Sequence, residues 1–340
     1  MTLPQRVSSV TATEKSFGQT SWTSDRPGHK TTTAGYSALF CPADRPDRAA
    51  KALASKAHLV ILDLEDAVAP SNKDSARERL RELIILNPKR KGIVVRINSL
   101  DSAYGTEDLA TVCSIVEAHE DIDLSVMLPK TSMQNLPPAG ESPVPIIALI
   151  ESAQGLKDLE AVAAHPNVVR LALGAFDLSV ELGCNNPSVP INYARAQLVL
   201  VSALYQLFPP LESPCSDFHD ETVMEAAAIK AARDGFGGSL CIHPAQIEAI
   251  HKAFMPSESE IEWAKRVVAV GDSAVQVDGK MVDRPVVLRA RRILETVDRS
   301  LIFHPLKVIR LLSGDFSHIS QSLSEKVSVC CSVWLGKYDV

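Results

Sequence analysis

Strict alternation of short apolar runs with segments of helical periodicity is the feature that most narrows what this chain can fold into. The runs Ser37–Cys41, Leu59–Leu64, Gly92–Ile97, Leu124–Leu128, Val144–Ile150, Val169–Leu173 and Ser239–His243 are mostly apolar. Strands buried on both faces read this way. Between them apolar residues recur at helical spacing, as in Ala76, Leu80, Leu83 and Ile84, then Leu109, Val112, Cys113 and Val116. Tyr193, Ala196, Leu200, Val201 and Leu204 mark a longer helix. An eighth strand is expected near Leu211–Cys215, where Pro209, Pro210 and Pro214 weaken the pattern. Alternation of this kind over roughly 210 residues demands a parallel sheet, and eight units favour a closed (β/α)₈ (TIM) barrel. No G-x-G-x-x-G follows the first run, which counts against a dinucleotide-binding sheet.

The barrel is placed at 35–256, with segments of different character on either side. Residues 1–34 are rich in Ser, Thr and Gly and lack apolar periodicity, so a disordered lead is expected. Arg6, Lys15, Arg26 and Lys30 outnumber Glu14 and Asp25 there, a weak likeness to a transit peptide, with a flexible tail as the favoured reading. After the barrel, Ser257 and Glu260 form a capping-box signature. A turn centred on Asp278-Gly279 and a second helix over Val286–Val297 complete a C-terminal helical arm, 257–300. Residues 301–340 carry no convincing pattern and are expected to form a poorly ordered tail.

Composition removes several function classes. A net charge of −6 argues against nucleic-acid binding, which needs a basic surface. No apolar run is long enough to span a membrane. The seven cysteines include no C-x-x-C pair, so neither a zinc cage nor a disulfide framework is expected. A reducing compartment follows, the cytoplasm, with the mitochondrial matrix as the alternative.

In a parallel barrel, chemistry collects at the C-terminal ends of the strands. Asp63 and Glu65 share the barrel-facing side of Ile61-Leu62-Asp63-Leu64-Glu65 by the two-residue period, while Leu62 and Leu64 face the helices. Two acids pointing into a barrel mouth are costly unless they meet a cation, a donor or an Arg. Asp66 can instead simply cap the next helix. Arg96 ends Val94-Val95-Arg96-Ile97, where its planar fork suits a carboxylate, an enolate oxygen or a salt bridge to Asp63 or Glu65. Glu151 and Asp177 follow consecutive strands, so their carboxylates can converge on one hard cation such as Mg²⁺. His243, after the glycine-rich Gly235–Gly238 segment and before Pro244, reads equally as an acid/base group or a structural histidine.

From Tyr36 to about Val297 the chain resembles the citrate lyase beta subunit and its relatives, the malyl-CoA and citramalyl-CoA lyases. The resemblance rests on Leu39-Phe40-Cys41-Pro42, Arg45-Pro46-Asp47-Arg48 with Lys51, and Val60-Ile61-Leu62-Asp63-Leu64-Glu65-Asp66. It continues in Val95-Arg96-Ile97-Asn98, Leu128-Pro129-Lys130, Glu151-Ser152-Ala153-Gln154-Gly155 and Gly174-Ala175-Phe176-Asp177. Ile242-His243-Pro244 and Asp278-Gly279-Lys280-Met281-Val282-Asp283-Arg284-Pro285 complete it.

The resemblance implies a Mg²⁺-dependent carbon–carbon lyase acting on a small acyl-CoA. Glu151 and Asp177 would hold the metal, Arg96 and Glu151 would meet substrate, and Glu65 would support the metal's water shell. Lys51 would lie near the CoA phosphates. Asp283 would be the acid/base residue, on an arm reaching over a neighbour in a homotrimer or hexamer. The family pattern has Arg where this chain has Tyr36, Gly at Ala43, Thr at Ser152, Gly-Lys at Gly238-Ser239, and Asp near Glu212. The lost Arg and Lys are expected on the ligand-facing side. An aldolase on free hydroxy-keto acids and a non-catalytic CoA-binding subunit are the alternatives.

Overall fold

The computed structural model describes residues 31–301, apart from residues 89, 91, 120, 140–143, 271–274 and 278–279. Eight parallel strands close into a barrel. In chain order they are β1 (Ser37–Pro42), β2 (Leu59–Asp63), β3 (Ile93–Arg96), β4 (Leu124–Leu128), β5 (Ile146–Ile150), β6 (Val168–Leu173), β7 (Phe208–Glu212) and β8 (Gly238–Cys241). Helices α1 (Pro46–Leu53), α2 (Lys73–Leu86) and α3 (Gly105–Ala118) fill the first three crossovers, and α4 (Ala153–Lys157) and α5 (Leu159–Ala164) share the fifth. Then come α6 (Ala175–Glu181), α7 (Val189–Leu204), α8 (Glu221–Arg233) and α9 (Gln246–Phe254). Pairing of Ser37 with Ser239 closes the ring.

The two-residue period sorts side chains into two cores. Ile61, Val94, Met127, Ile147, Ala172 and Leu240 fill the barrel. Leu62 and Leu64 point outward and pack with Ala76, Leu80 and Ile84 of α2. Leu62 and Leu80 are wholly buried, so truncating either to Ala costs about 2–5 kcal/mol.

The strand expected near Leu211–Cys215 is β7, which lies three residues earlier, at Phe208–Glu212, and contains Pro209 and Pro210. Proline removes only the N–H, and both carbonyls are used. Arg170 Nε donates to Pro209 O at 2.8 Å, and Gly237 N donates to Pro210 O at 2.9 Å. The register with β6 shifts between Arg170 and Ala172 to accommodate this. At β8 the strand stops at Cys241, leaving His243 in the loop beyond.

Helix α7 forms where the apolar pattern predicts, but of the marked residues only Val201 is buried, and Tyr193, Ala196, Leu200 and Leu204 face solvent. Tyr193, Leu200 and Leu204 are 58%, 63% and 68% exposed, whereas Ile191, Ala194, Leu198 and Val201 are buried. The helix carries two apolar stripes, and the barrel takes the one spaced i, i+3, i+7.

The expected lead runs too far, because Thr31–Ala34 form a 3₁₀ turn with Thr33 and Ala34 buried. The buried Arg170 guanidinium binds Thr33 O at 2.7 Å and Gly35 O at 2.8 Å, fixing this segment under the barrel. Residues 1–30 and 302–340 lie outside the described residues.

Beyond the barrel, α10 (Glu258–Ala269) starts with the Ser257–Glu260 capping box. A hairpin of β9 (Val275–Val277) and β10 (Lys280–Val282) follows, with Lys280 opposite Val277. Asp278-Gly279, read as the turn centre, lie outside the described residues. The final helix α11 (Arg284–Leu301) begins two residues before the expected Val286. Ala264 and Val267 of α10 pack with Val282, Val287 and Ala290, so the arm has a small core of its own.

Candidate active site

Four strand ends build one polar cluster at the barrel mouth. Asp63 and Arg96 are paired positions on adjacent strands β2 and β3. Arg96 Nε meets Asp63 Oδ1 at 2.7 Å and Nη2 meets Oδ2 at 2.6 Å, a bidentate pair. Arg96 Nη1 lies 3.1 Å from Glu65 Oε2 and 3.8 Å from Asp66 Oδ2. The guanidinium also stacks over the Phe40 ring, 4.8 Å from its centre. Burial opposes its charge, but the bonds and charges of Asp63, with Glu65 and Asp66, hold its pKa above the ordinary value.

Asp63 also accepts the N–H groups of Glu65 at 2.9 Å and Ala67 at 3.3 Å, shaping the turn after β2. Beneath that turn the buried Lys73 ammonium donates to Leu64 O, Glu65 O and Asn98 Oδ1, at 2.7, 2.7 and 2.8 Å. All three of its donors are satisfied, so this lysine braces Glu65.

Lys130 ties the acids together. It follows β4 in the left-handed region, with φ +48°, and its N–H donates to Glu151 Oε1 at 2.8 Å. Its ammonium lies 2.9 Å from Glu65 Oε1, and this bond raises its own pKa. Glu65 is buried, and burial lifts its carboxyl above the usual range despite Arg96 and Lys130.

Glu151 directly follows β5 and is only 4% exposed. Burial first, then the charges of Glu65 and Asp177, push its pKa up to about 8, while the Lys130 N–H and Arg96 pull the other way. Gly174 abuts it closely, since a β-carbon there would lie 2.5 Å from Glu151 Cβ. Asp177 sits exposed in the first turn of α6. Clustered carboxylates of this kind, one held abnormally protonated, are what a hard cation would relieve. Among the described residues no three His, Cys, Asp or Glu side chains make a complete cage. Two carboxylates with the remaining positions left to water and substrate oxygens suit Mg²⁺.

The other sequence-derived candidates are dispersed. Lys51 is exposed in the last turn of α1, past Arg45 and Arg48 at its start. His243 is exposed, its Nδ1 accepting the Ala245 N–H at 3.2 Å and its ring stacked 4.9 Å from Phe218. Asp283 is exposed ahead of α11, and its Oδ1 accepts the Val286 N–H at 3.3 Å. Among the described residues no hydrogen bond or ion pair joins Asp283 to Arg96, Glu65, Glu151 or Asp177.

Tyr36 and Ser239 are not on the ligand-facing side. Tyr36 precedes β1 at the opposite end of the barrel and donates its hydroxyl to Thr296 O of α11 at 2.9 Å. Ser239, early in β8, lines a small pocket with Met224 and Ala228 of α8 and Ile250 of α9. The nearby Glu212 forms a buried ion pair with Arg195 of α7.

The sequence reading gave Lys130, Lys73 and Asn98 no role. Lysines beside a strand or at a helix start ordinarily read as solvated; the fold buries Lys73 and sets the half-exposed Lys130 between Glu65 and Glu151.

A family model described as HpcH/HpaI aldolase/citrate lyase matches residues 36–244. A citrate lyase subunit beta-like protein of Mycobacterium tuberculosis is 36% identical over 273 residues, 77% of this chain and 95% of that protein. A (3S)-malyl-CoA thioesterase of Cereibacter sphaeroides is 30% identical over 279 residues, 78% of this chain and 96% of its own length. The crystal structure of CitE from Mycobacterium tuberculosis in complex with magnesium, acetoacetate and coenzyme A superposes with a TM-score of 0.65 at 35% identity. It covers 78% of this chain and 98% of that one. With the family model spanning the whole barrel and relatives matching along nearly their full length, the chain belongs to the HpcH/HpaI aldolase/citrate lyase family.

Proposed function

We propose that the protein is a Mg²⁺-dependent carbon–carbon lyase that cleaves, or in reverse forms, a small β-hydroxyacyl-CoA such as malyl-, citramalyl- or citryl-CoA. Glu65 in contact with Arg96, Lys130 linking Glu65 to Glu151, and the Gly174 turn that leads to Asp177 packed on Glu151 together carry this reading. Glu151 and Asp177 would hold the metal, with Glu65, steered by Lys130 and Lys73, bonding its water shell. When bound, Mg²⁺ would act as a Lewis acid on the oxygens of the keto-acid portion.

The chain's own groups account for the remaining chemistry. Loss of the β-hydroxyl proton turns that carbon into a carbonyl as the Cα–Cβ bond breaks. The electron pair passes to the thioester as an enolate, which then takes up a proton. Arg96, fixed by Asp63, offsets negative charge developing on oxygen. Asp283 is the carboxylate assigned to the proton. It stands on an arm with its own small core and bonds to none of the cluster, which fits donation into a second copy's barrel. The exposed Val189, Tyr193, Leu200 and Leu204 of α7, with Phe176 and Val180 of α6, give a copy an apolar surface to meet. A homotrimer or hexamer, which the family resemblance implies, would cover that surface. Lys51, with Arg45 and Arg48, supplies positive charge for the CoA phosphates.

Hydrolysis of the same class of thioester is a second reading, favoured by the relative named a malyl-CoA thioesterase. Incubation with malyl-, citramalyl- and citryl-CoA, with Mg²⁺ or with chelator, separates the two. A lyase releases keto acid and no free CoA thiol, and a thioesterase releases thiol and no keto acid. Absence of Mg²⁺-dependent turnover of any of these thioesters would overturn both.

A further inference from the structure

Helix α6 begins without a cap of its own. Its N-cap position is Gly174, which has no side chain to take up a first-turn N–H. Glu151 imposes that glycine, because any β-carbon would lie 2.5 Å from Glu151 Cβ and 2.6 Å from its Oε2. The N–H of Ala175, first residue of the helix, is taken instead by Ser213 Oγ at 2.7 Å. The same hydroxyl donates to Leu173 O at 2.7 Å.

Ser213 belongs to a different strand end, directly after β7. Its own N–H donates to Glu212 Oε1 at 2.9 Å, and Glu212 is held by Arg195 from α7. Arg195 is held in turn by Asp234, at 2.8 Å. One hydroxyl thus clamps both sides of the β6–α6 turn, Leu173 and Ala175, while Gly174 between them rests on Glu151. Asp177 lies two residues further on.

We infer that Ser213 is a positioning residue for the metal site: braced by Glu212 and Arg195, it fixes the turn carrying Asp177 against Glu151 and so sets the spacing of the two ligands. This rests on Glu151 and Asp177 being the Mg²⁺ ligands. Groups that orient metal ligands from behind typically change metal affinity 10–100-fold when removed. An alanine at 213 leaves both the Ala175 N–H and the Leu173 carbonyl without their partner.

The test compares the full chain with Ser213→Ala and Ser213→Thr. Mg²⁺ affinity is read by calorimetry, and amide exchange at Ala175 is read in metal-free protein. Ser213→Ala should exchange faster at Ala175 and bind Mg²⁺ about tenfold more weakly. Ser213→Thr, which keeps the hydroxyl, should restore both. If the full chain binds Mg²⁺ and Ser213→Ala binds it equally well, with only the melting temperature lowered, the inference is overturned. If the full chain itself binds no Mg²⁺, the metal reading fails and takes this inference with it.

Discussion

Arg96 clasps Asp63 through two parallel hydrogen bonds, leaving only Nη1 to face Glu65 and Asp66. The arginine is therefore aimed before any substrate arrives. Asp63→Ala should strand a mostly buried guanidinium and release the turn that carries Glu65. Removing one partner of a buried pair costs about 3–5 kcal/mol. Urea denaturation should show a loss of that order. A change below about 1 kcal/mol would mean that Glu65 and Asp66 suffice to hold Arg96.

Glu151 gives the metal-free protein a distinctive pH dependence. Its carboxyl titrates near 8 in the fold, against the ordinary 4.5 of the unfolded chain. Between those values the folded state holds a proton that the unfolded state has lost, so stability falls as pH rises through that window, by at most about 1.4 kcal/mol per pH unit. Below 4.5 both states are protonated and the effect is absent. Mg²⁺ should flatten the slope by stabilising the ionised form. Glu151→Gln should abolish it in chelator, as unfolding free energies at pH 6 and pH 8 will show. An unchanged slope in that variant would assign the pH dependence elsewhere.

The barrel and its acids are legible in the sequence for a common reason. A continuous apolar run ending in a charge is unusual, so Asp63, Arg96, Glu151 and Asp177 stand out against their strands. β7 is less legible because Pro209 and Pro210 imitate a loop, and only their use as acceptors by Arg170 and Gly237 makes the strand viable. The buried face of α7 is ambiguous because the helix has two apolar stripes, and neighbours rather than periodicity decide between them. Lys130 and Ser213 escape notice for another reason. Their roles depend on partners 21 to 65 and 38 to 40 positions away, which no local pattern contains.

The second stripe of α7 makes a prediction of its own. Tyr193, Leu200 and Leu204 are exposed although apolar, and a second copy of the chain is the assigned cover. Leu200→Glu with Leu204→Glu places charge on that surface without touching the buried Leu198 or Val201. Sedimentation should move to a lighter species while far-ultraviolet dichroism stays unchanged. An unaltered sedimentation coefficient would remove this face from the interface.

The position of Asp283 makes the most demanding prediction, because it divides one active site between two chains. It lies outside the barrel ahead of α11, and among the described residues it bonds to none of the cluster. If it serves a neighbour, Asp283→Asn should leave Mg²⁺ binding within about twofold of the parent protein, since neither ligand changes. Turnover should nevertheless fall by a factor on the order of 10²–10⁴, the usual contribution of a proton-transferring group. Arg96→Ala should be inactive for a different reason, losing the charge beside the substrate. Mixed oligomers of the two variants would contain some sites with Arg96 from one chain and Asp283 from another. Activity should therefore reappear after subunit exchange, and its yield should follow the mixing ratio with a maximum at equal amounts. Mixed oligomers, verified by mass spectrometry, that remain as inactive as the separate variants would place Asp283 in its own chain's site or outside catalysis altogether.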